Sequence, residues 1–135
     1  MINVKNIYKN FDRTTILNGI SASFEKGKTN LIIGASGTGK SVLLKCLVGL
    51  LKPDKGNVLF NDRDFTNGSK KLITELRREI GMLFQGGALF DSKNVEENVM
   101  FPLNILSKLN KDEKLKRVNH CLKLVGLENV NLSLI

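Results

Sequence analysis

The chain is poor in cysteine, and it has no apolar run long enough to cross a membrane. Cys46 and Cys121 are the only two cysteines among the 135 residues, and they form no Cys-x-x-Cys pair and have no histidine at ligand spacing. This excludes a disulfide framework and a zinc knuckle, and it fits a reducing compartment. The first residues lack the apolar segment of a signal peptide, and no stretch approaches the roughly 18 apolar residues of a membrane span. We therefore expect a soluble cytoplasmic chain.

Basic residues outnumber acidic residues by 21 to 13, which gives a formal net charge of +8. Such an excess is compatible with nucleic acid, an anionic membrane surface or a phosphate ligand as partner. The basic residues are scattered, and the few aromatic residues are not interleaved with them. We interpret the excess as solvated surface charge and expect no nucleic-acid partner. A hydrophobic fraction of 41% and a length of 135 residues suit one globular domain.

The order of apolar runs and turns predicts strands mixed with helices, which is typical of the α/β class. Strands are predicted over residues 2–11, 20–24, 29–33, 57–60 and 80–84. Helices are predicted over residues 41–51, 70–79 and 110–125, and from a cap at Asn94 to an end or kink at Pro102. The strands at 29–33 and 80–84 end in continuous apolar runs, over 31–33 and 82–84, a pattern that is typical of strands buried on both faces of a parallel sheet.

A glycine-rich segment between the predicted strand 29–33 and the following helix carries the decisive motif. It reads Gly34-Ala35-Ser36-Gly37-Thr38-Gly39-Lys40-Ser41 and matches the P-loop pattern G-x-x-x-x-G-K-[ST]. The glycines let backbone N–H groups turn inward around a phosphate, and the helix adds free N–H groups and a positive dipole end. Lys40 supplies charge to the β- and γ-phosphates, and the Ser41 hydroxyl can ligate Mg²⁺. Val42 follows where many such loops carry a second hydroxyl, but its N–H can still face phosphate. The motif predicts a nucleotide-binding loop.

Together with this loop, three further segments resemble the amino-terminal part of an ABC transporter ATP-binding domain. They are the opening strands at 7–11 and 16–21, the turn at 50–58 and the segment 81–85. The resemblance implies an incomplete P-loop NTPase fold with an antiparallel β part, the P-loop strand and helix, and the start of a helical subdomain. It implies ATP and Mg²⁺ as cofactors and Phe11 as the ring that stacks on adenine, although Phe11 could also be a core residue. It implies catalytic roles for Lys40 and for Gln85, which would help to hold Mg²⁺ and the attacking water.

The stretch at 84–92, together with residues 94–99 and 102–103, is most similar to the ATPases of Mla/Mce-type lipid transport systems. This implies phospholipid transport across the cell envelope, on the cytoplasmic face of the inner membrane. The implied partners are a transmembrane permease, a second ATPase subunit as in a homodimer, and a lipid-binding Mce-type component. A transporter of another substrate remains an alternative.

Several parts of the family's pattern have no counterpart in the sequence, namely the signature motif, the Walker B strand, the catalytic glutamate and the switch histidine. His120 lies on a predicted helix and is interpreted as a surface residue. We therefore expect residues 1–135 to be the amino-terminal part of a single domain that binds ATP rather than hydrolysing it, with open edges on the strands near 31–33 and 82–84. The alternatives are a non-catalytic remnant of a split or truncated gene, or a soluble ABC-type protein of DNA repair or translation.

Overall fold

The computed structural model describes residues 1–84 and 86–134. The chain divides into two compact units, Met1–Met82 and Leu83–Ile135. None of the helices in the described ranges is long and apolar enough to span a membrane.

The first unit contains an antiparallel sheet and two helices. Its strands are β1 (Ile2–Phe11), β2 (Thr14–Phe24), β3 (Lys55–Phe60) and β4 (Arg63–Asp64), and its helices are α1 (Lys40–Leu47) and α2 (Lys70–Arg78). The sheet order is β2-β1-β3-β4, and β1 pairs antiparallel with both of its neighbours. The predictions of strands at 2–11 and 57–60 and of a helix at 70–79 are confirmed, while the predicted strand 20–24 is the end of a longer strand.

A bulge in β1 brings Val4 and Ile7 to the same face of the sheet, the face that packs in the core. Val4 and Ile7 are both buried, although side chains of a regular strand reach the same face only every second residue. Asn6 has a φ of +46°, and the register with β2 shifts between Val4 and Ile7, so that one extra residue is accommodated. Both side chains therefore join a core that Leu47 of α1 and Leu76 of α2 complete from the helical side.

Helix α1 ends earlier than the sequence predicts. The prediction extended it to residue 51, but the helix stops at Leu47 and Gly49 follows with a φ of +67°. The Gly49 N–H donates to the Cys46 carbonyl at 3.2 Å and the Leu50 N–H to the Lys45 carbonyl at 2.9 Å. These two hydrogen bonds form the Schellman motif, which satisfies the last carbonyl groups of the helix and ends it.

The two continuously apolar segments are not strands, which corrects the predictions at 29–33 and 80–84. Within the described residues, no segment pairs with either of them. Leu31, Ile33 and Leu83 are 81%, 80% and 92% exposed. A strand needs neighbours to take its backbone hydrogen bonds, and without them the residues form an unpaired segment rather than an open-edged strand.

The second unit contains α3 (Val95–Leu106) and α4 (Lys111–Leu124). Asn94 and Asn110 cap these helices, each with a glutamate three residues later that completes a capping box. The predicted start of both helices is thereby confirmed. Pro102 does not end α3, which continues to Leu106. Proline cannot donate a hydrogen bond to the carbonyl four residues earlier, but the capped helix continues despite that loss.

Two further sequence predictions concern α4. The helical periodicity predicts an apolar stripe made of Leu115, Val118, Leu122 and Val125. Val118 and Leu122 are buried and Leu115 is half-buried, but Val125 is 67% exposed beyond the helix end. His120 is exposed on α4, as predicted. The sequence also predicts both cysteines as buried thiols; Cys46 is buried, whereas Cys121 is half-buried.

Candidate nucleotide-binding site

The glycine-rich loop leads directly into α1 and lies against β2. Gly37 and Gly39 have φ values of +78° and +90°, in the left-handed region where only glycine is free of strain. A Cβ atom on Gly39 would lie 2.9 Å from Ile16 Cγ2 and 3.1 Å from the Ile16 carbonyl oxygen. The motif therefore needs glycine at position 39 for two reasons, the backbone angle and the close approach of β2.

Lys40 is folded back over the loop. Its Nζ donates to the carbonyl oxygens of Gly34 and Ala35, at 2.8 and 2.6 Å, and Thr38 Oγ1 donates to the same Ala35 oxygen at 2.8 Å. The ammonium is thus held against the loop by neutral acceptors rather than by a carboxylate. A phosphate brought to this position would offer charged acceptors, which form stronger hydrogen bonds with an ammonium than carbonyls do.

The N-terminus of α1 is suited to an anion. Its N-cap is Gly39, which has no side chain to accept from the first helical N–H groups, and its first turn carries no acidic residue. The first N–H groups of a helix lack partners within the helix, and the helix dipole makes this end positive. Ser41 and Val42 belong to this first turn, so their N–H groups are among those that can face a phosphate.

Phe11 and the loop line one open groove of about 320 Å³. Phe11 lies at the end of β1 and is 45% exposed. The other residues that line this groove are Ile16, Ser36, Gly37, Gly39, Lys40, Ser41 and Val42. The structure therefore brings the predicted aromatic ring to the same groove as six of the predicted phosphate-binding residues, whereas Gly34, Ala35 and Thr38 do not line it.

The predicted metal and water contacts are located only in part. Ser41 lines the groove at the start of α1, and among the described residues no cluster of three His, Cys, Asp or Glu side chains is arranged to hold a metal ion. Gln85 lies outside the described residues. The hydroxyl of Ser41 is therefore the described group that fits Mg²⁺, and such an ion would share its remaining positions between water and the nucleotide phosphates.

The sequence reasoning missed a polar network beside Phe11. The Asp54 carboxylate lies 2.7 Å from Lys9 Nζ and also accepts the N–H of Asn10 at 2.7 Å. These hydrogen bonds, first that from Lys9, hold the pKa of Asp54 below its ordinary value. The sequence contains one indication of this network, because Asp54 is an acidic residue between two lysines in the turn at 50–58.

The antiparallel sheet, the helices and the glycine-rich loop define a P-loop protein of the α/β class. A comparison with protein-family models matches residues 17–135 to the ABC transporter model. The chain therefore belongs to the ABC transporter family, and its resemblance to the ATP-binding domain is confirmed.

Known relatives are named as transport ATP-binding proteins. The methionine import ATP-binding protein MetN of Rhizobium johnstonii is 44% identical over 127 residues, covering 94% of this chain and 35% of that protein. The probable ribonucleotide transport ATP-binding protein mkl of Mycobacterium leprae is 40% identical, covering 93% and 36%. Among solved structures, the ATP-binding cassette MJ0796, determined as a dimer bound to ADP and Pi, matches with a TM-score of 0.84. It is 29% identical, and the match covers 98% of this chain and 60% of that chain. The chain thus spans about a third of the length of these two curated relatives.

Proposed function

We propose that this chain is the nucleotide-binding part of an ABC transporter ATPase subunit and that it binds ATP with Mg²⁺ in the Phe11 groove. The observation that carries the proposal is the groove itself, where an aromatic ring, the Lys40 ammonium and the uncapped start of α1 meet. The aromatic ring can stack on the face of a purine base. The N–H groups of the loop and of the start of α1 can bind the charged phosphates. Both ends of a nucleoside triphosphate therefore find a chemically matched surface.

Each groove residue has a specific role in this proposal. On binding, Lys40 exchanges its two carbonyl acceptors for β- and γ-phosphate oxygens, and the backbone from Gly34 to Val42 surrounds the phosphates. The Ser41 hydroxyl would be a ligand of Mg²⁺, and the ion would supply positive charge beside the phosphates. Phe11 stacks on adenine. For Gln85 we propose contact with Mg²⁺ and with the attacking water, on the strength of the family resemblance alone.

We propose further that both units belong to one ATP-binding domain of a longer subunit. Support comes from the family match, which extends over 17–135, and from the solved cassette, whose match covers nearly all of this chain. The proposed partners are a transmembrane permease and a second ATPase subunit, and the proposed location is the cytoplasmic face of the membrane.

For the transported substrate, we propose lipid, with a lipid-binding Mce-type component as a further partner. This rests on the resemblance of the sequence at 84–92 to the ATPases of Mla/Mce-type systems. A second candidate is methionine, which is favoured by the name of the 44% identical relative. Growth and lipid-retention assays of a strain deleted for this chain separate the two substrates.

The binding proposal is tested by calorimetry with Mg-ATP. We expect Lys40→Ala to lose most of the affinity, because charge-assisted hydrogen bonds to phosphate contribute about 1.5–3 kcal/mol each. Lys45→Ala is the matched control, because Lys45 is exposed on the same helix and lies outside the groove lining. Equal affinities for wild type and Lys40→Ala, or an equal loss in both variants, would contradict a role of the loop in phosphate binding.

A further inference from the structure

The end of β1 extends beyond its neighbour β3, and a side chain takes the place of the missing partner. The last paired residues are Tyr8 and Lys55, and the Asp54 N–H donates to the Tyr8 carbonyl at 2.8 Å. Two residues further along β1, the Asn10 N–H is met by Asp54 Oδ2 at 2.7 Å. The carboxylate thus satisfies a backbone donor that would otherwise lack a strand partner on this side.

The other oxygen of the same carboxylate holds a cation beside the aromatic ring. Asp54 Oδ1 lies 2.7 Å from Lys9 Nζ, and that Nζ lies 5.6 Å from the centroid of the Phe11 ring. This is within the range of a cation–π contact. The Lys9 side chain is only 14% exposed, so its stem is packed rather than free in solvent.

The hydrogen bonds continue across to β2. The side-chain amide of Asn10 donates to Asp54 at 3.2 Å, and Thr15 Oγ1 donates to the Asn10 side-chain oxygen at 2.7 Å. The register between β1 and β2 shifts twice between Ile7 and Asn10, so regular ladder bonds alone do not fix this strand end. Asp54 therefore accepts hydrogen bonds from three nitrogen atoms of the two residues before Phe11, namely Lys9 Nζ, the Asn10 backbone N and Asn10 Nδ2.

We propose that Asp54 is a positioning residue for the stacking ring of Phe11, acting through Lys9 and the backbone of Asn10. This rests on the proposed function, because it assigns a nucleotide base to that ring. A ring held in place before binding loses little freedom when the base arrives, whereas a loose ring must be ordered at a cost to affinity. Asp54 should therefore affect ligands that carry a base and leave ligands that consist of phosphate alone unaffected.

The test compares Mg-ATP with inorganic Mg-tripolyphosphate on the full 135-residue chain. We expect Asp54→Ala to weaken ATP binding by about 2- to 12-fold, the cost of ordering one freed side chain, and to leave tripolyphosphate binding unchanged. Phe11→Ala should show the same selectivity. Glu79→Ala is the matched control, because it removes the paired contacts with Arg63 in the same unit, outside the groove lining, and should change neither affinity.

Two further variants separate positioning from general stability. Lys9→Met leaves the Asp54 bond to the Asn10 backbone and removes only the cation, and we expect a selective loss for ATP that Lys9→Arg restores. In a Phe11→Ala background, Asp54→Ala should cause no further loss of ATP affinity. Equal losses for ATP and tripolyphosphate, an unchanged ATP affinity in Asp54→Ala, or additive losses in the double variant would overturn the positioning role. Failure of the wild-type chain to bind Mg-ATP would overturn the proposed function and this role with it.

Discussion

Replacing two glycines of the loop by alanine separates backbone strain from steric contact. Gly37 and Gly39 have similar φ values of +78° and +90°. A Cβ on Gly37 would meet no heavy atom of the described residues within 4 Å, whereas a Cβ on Gly39 would meet Ile16 at 2.9 Å and Leu17 at 3.2 Å. Both variants carry the left-handed strain, but only Gly39→Ala adds a collision with β2.

The expected free energies follow from these distances. An alanine held in the left-handed region destabilises the folded chain by about 1–2 kcal/mol. Alanine also has fewer conformations than glycine in the unfolded chain, and this offsets about 0.4–1 kcal/mol of that loss. Gly37→Ala should therefore lower the free energy of unfolding by roughly 1 kcal/mol. Gly39→Ala should lower it by a further ~1–3 kcal/mol, the usual cost of overpacking, because Ile16 contributes a branched methyl and a backbone oxygen that cannot simply rotate away.

Urea unfolding at low micromolar protein concentration measures the difference. Tyr8 is the only tyrosine and the chain contains no tryptophan, so intrinsic fluorescence reports on the first unit, where Tyr8 lies in β1. The two variants should unfold with the same slope and with midpoints in the order wild type, Gly37→Ala, Gly39→Ala. Equal midpoints for the two variants would refute the close approach of β2 to the loop.

Two other predictions concern pH and association. Because the pKa of Asp54 is lowered in the folded chain by its bond from Lys9, the stability it contributes is present above about pH 4 and is lost as the pH falls through the lowered pKa. The fall in melting temperature between pH 5 and 3 should be smaller in Asp54→Asn, and an identical fall in both chains would contradict this. The exposed Leu31 and Ile33 predict concentration-dependent self-association of the 135-residue chain. Sedimentation velocity should show it weakened by Leu31→Ser with Ile33→Ser, whereas a monomer at all concentrations would contradict it.

Local signals in the sequence predicted the parts of the fold that local chemistry determines. Asn94 and Asn110 stand three residues before a glutamate, and this spacing favours a helix start because it pairs N–H groups at the helix end that would otherwise lack partners. Gly126 likewise ends α4 with a φ of +72°, as a glycine after the last apolar residue predicts. The P-loop pattern is equally local, and five of its eight residues line one groove, namely Ser36, Gly37, Gly39, Lys40 and Ser41.

Features that depend on distant partners could not be predicted in the same way. The apolar run at 29–33 indicates a preference for burial, but it carries no information on whether a neighbouring strand is present to pair with it. The bulge at Asn6 depends on the approach of β3, where Gly56 lies against the backbone of Lys5 and Asn6. The bond between Asp54 and Asn10 joins residues 44 positions apart, and no short-range pattern identifies such a pair.

Titration of the amide signals of ¹⁵N-labelled chain with Mg-ATP tests the central claim most directly. If the groove binds the nucleotide, the largest shifts should occur in the N–H groups from Gly37 to Val42 and at Phe11, and the amides of α4 should remain unchanged. Lys40→Ala should abolish these shifts at the same ATP concentration. Shifts that centre on α4, or shifts in the loop that persist in Lys40→Ala, would contradict the assignment of the groove as the nucleotide site.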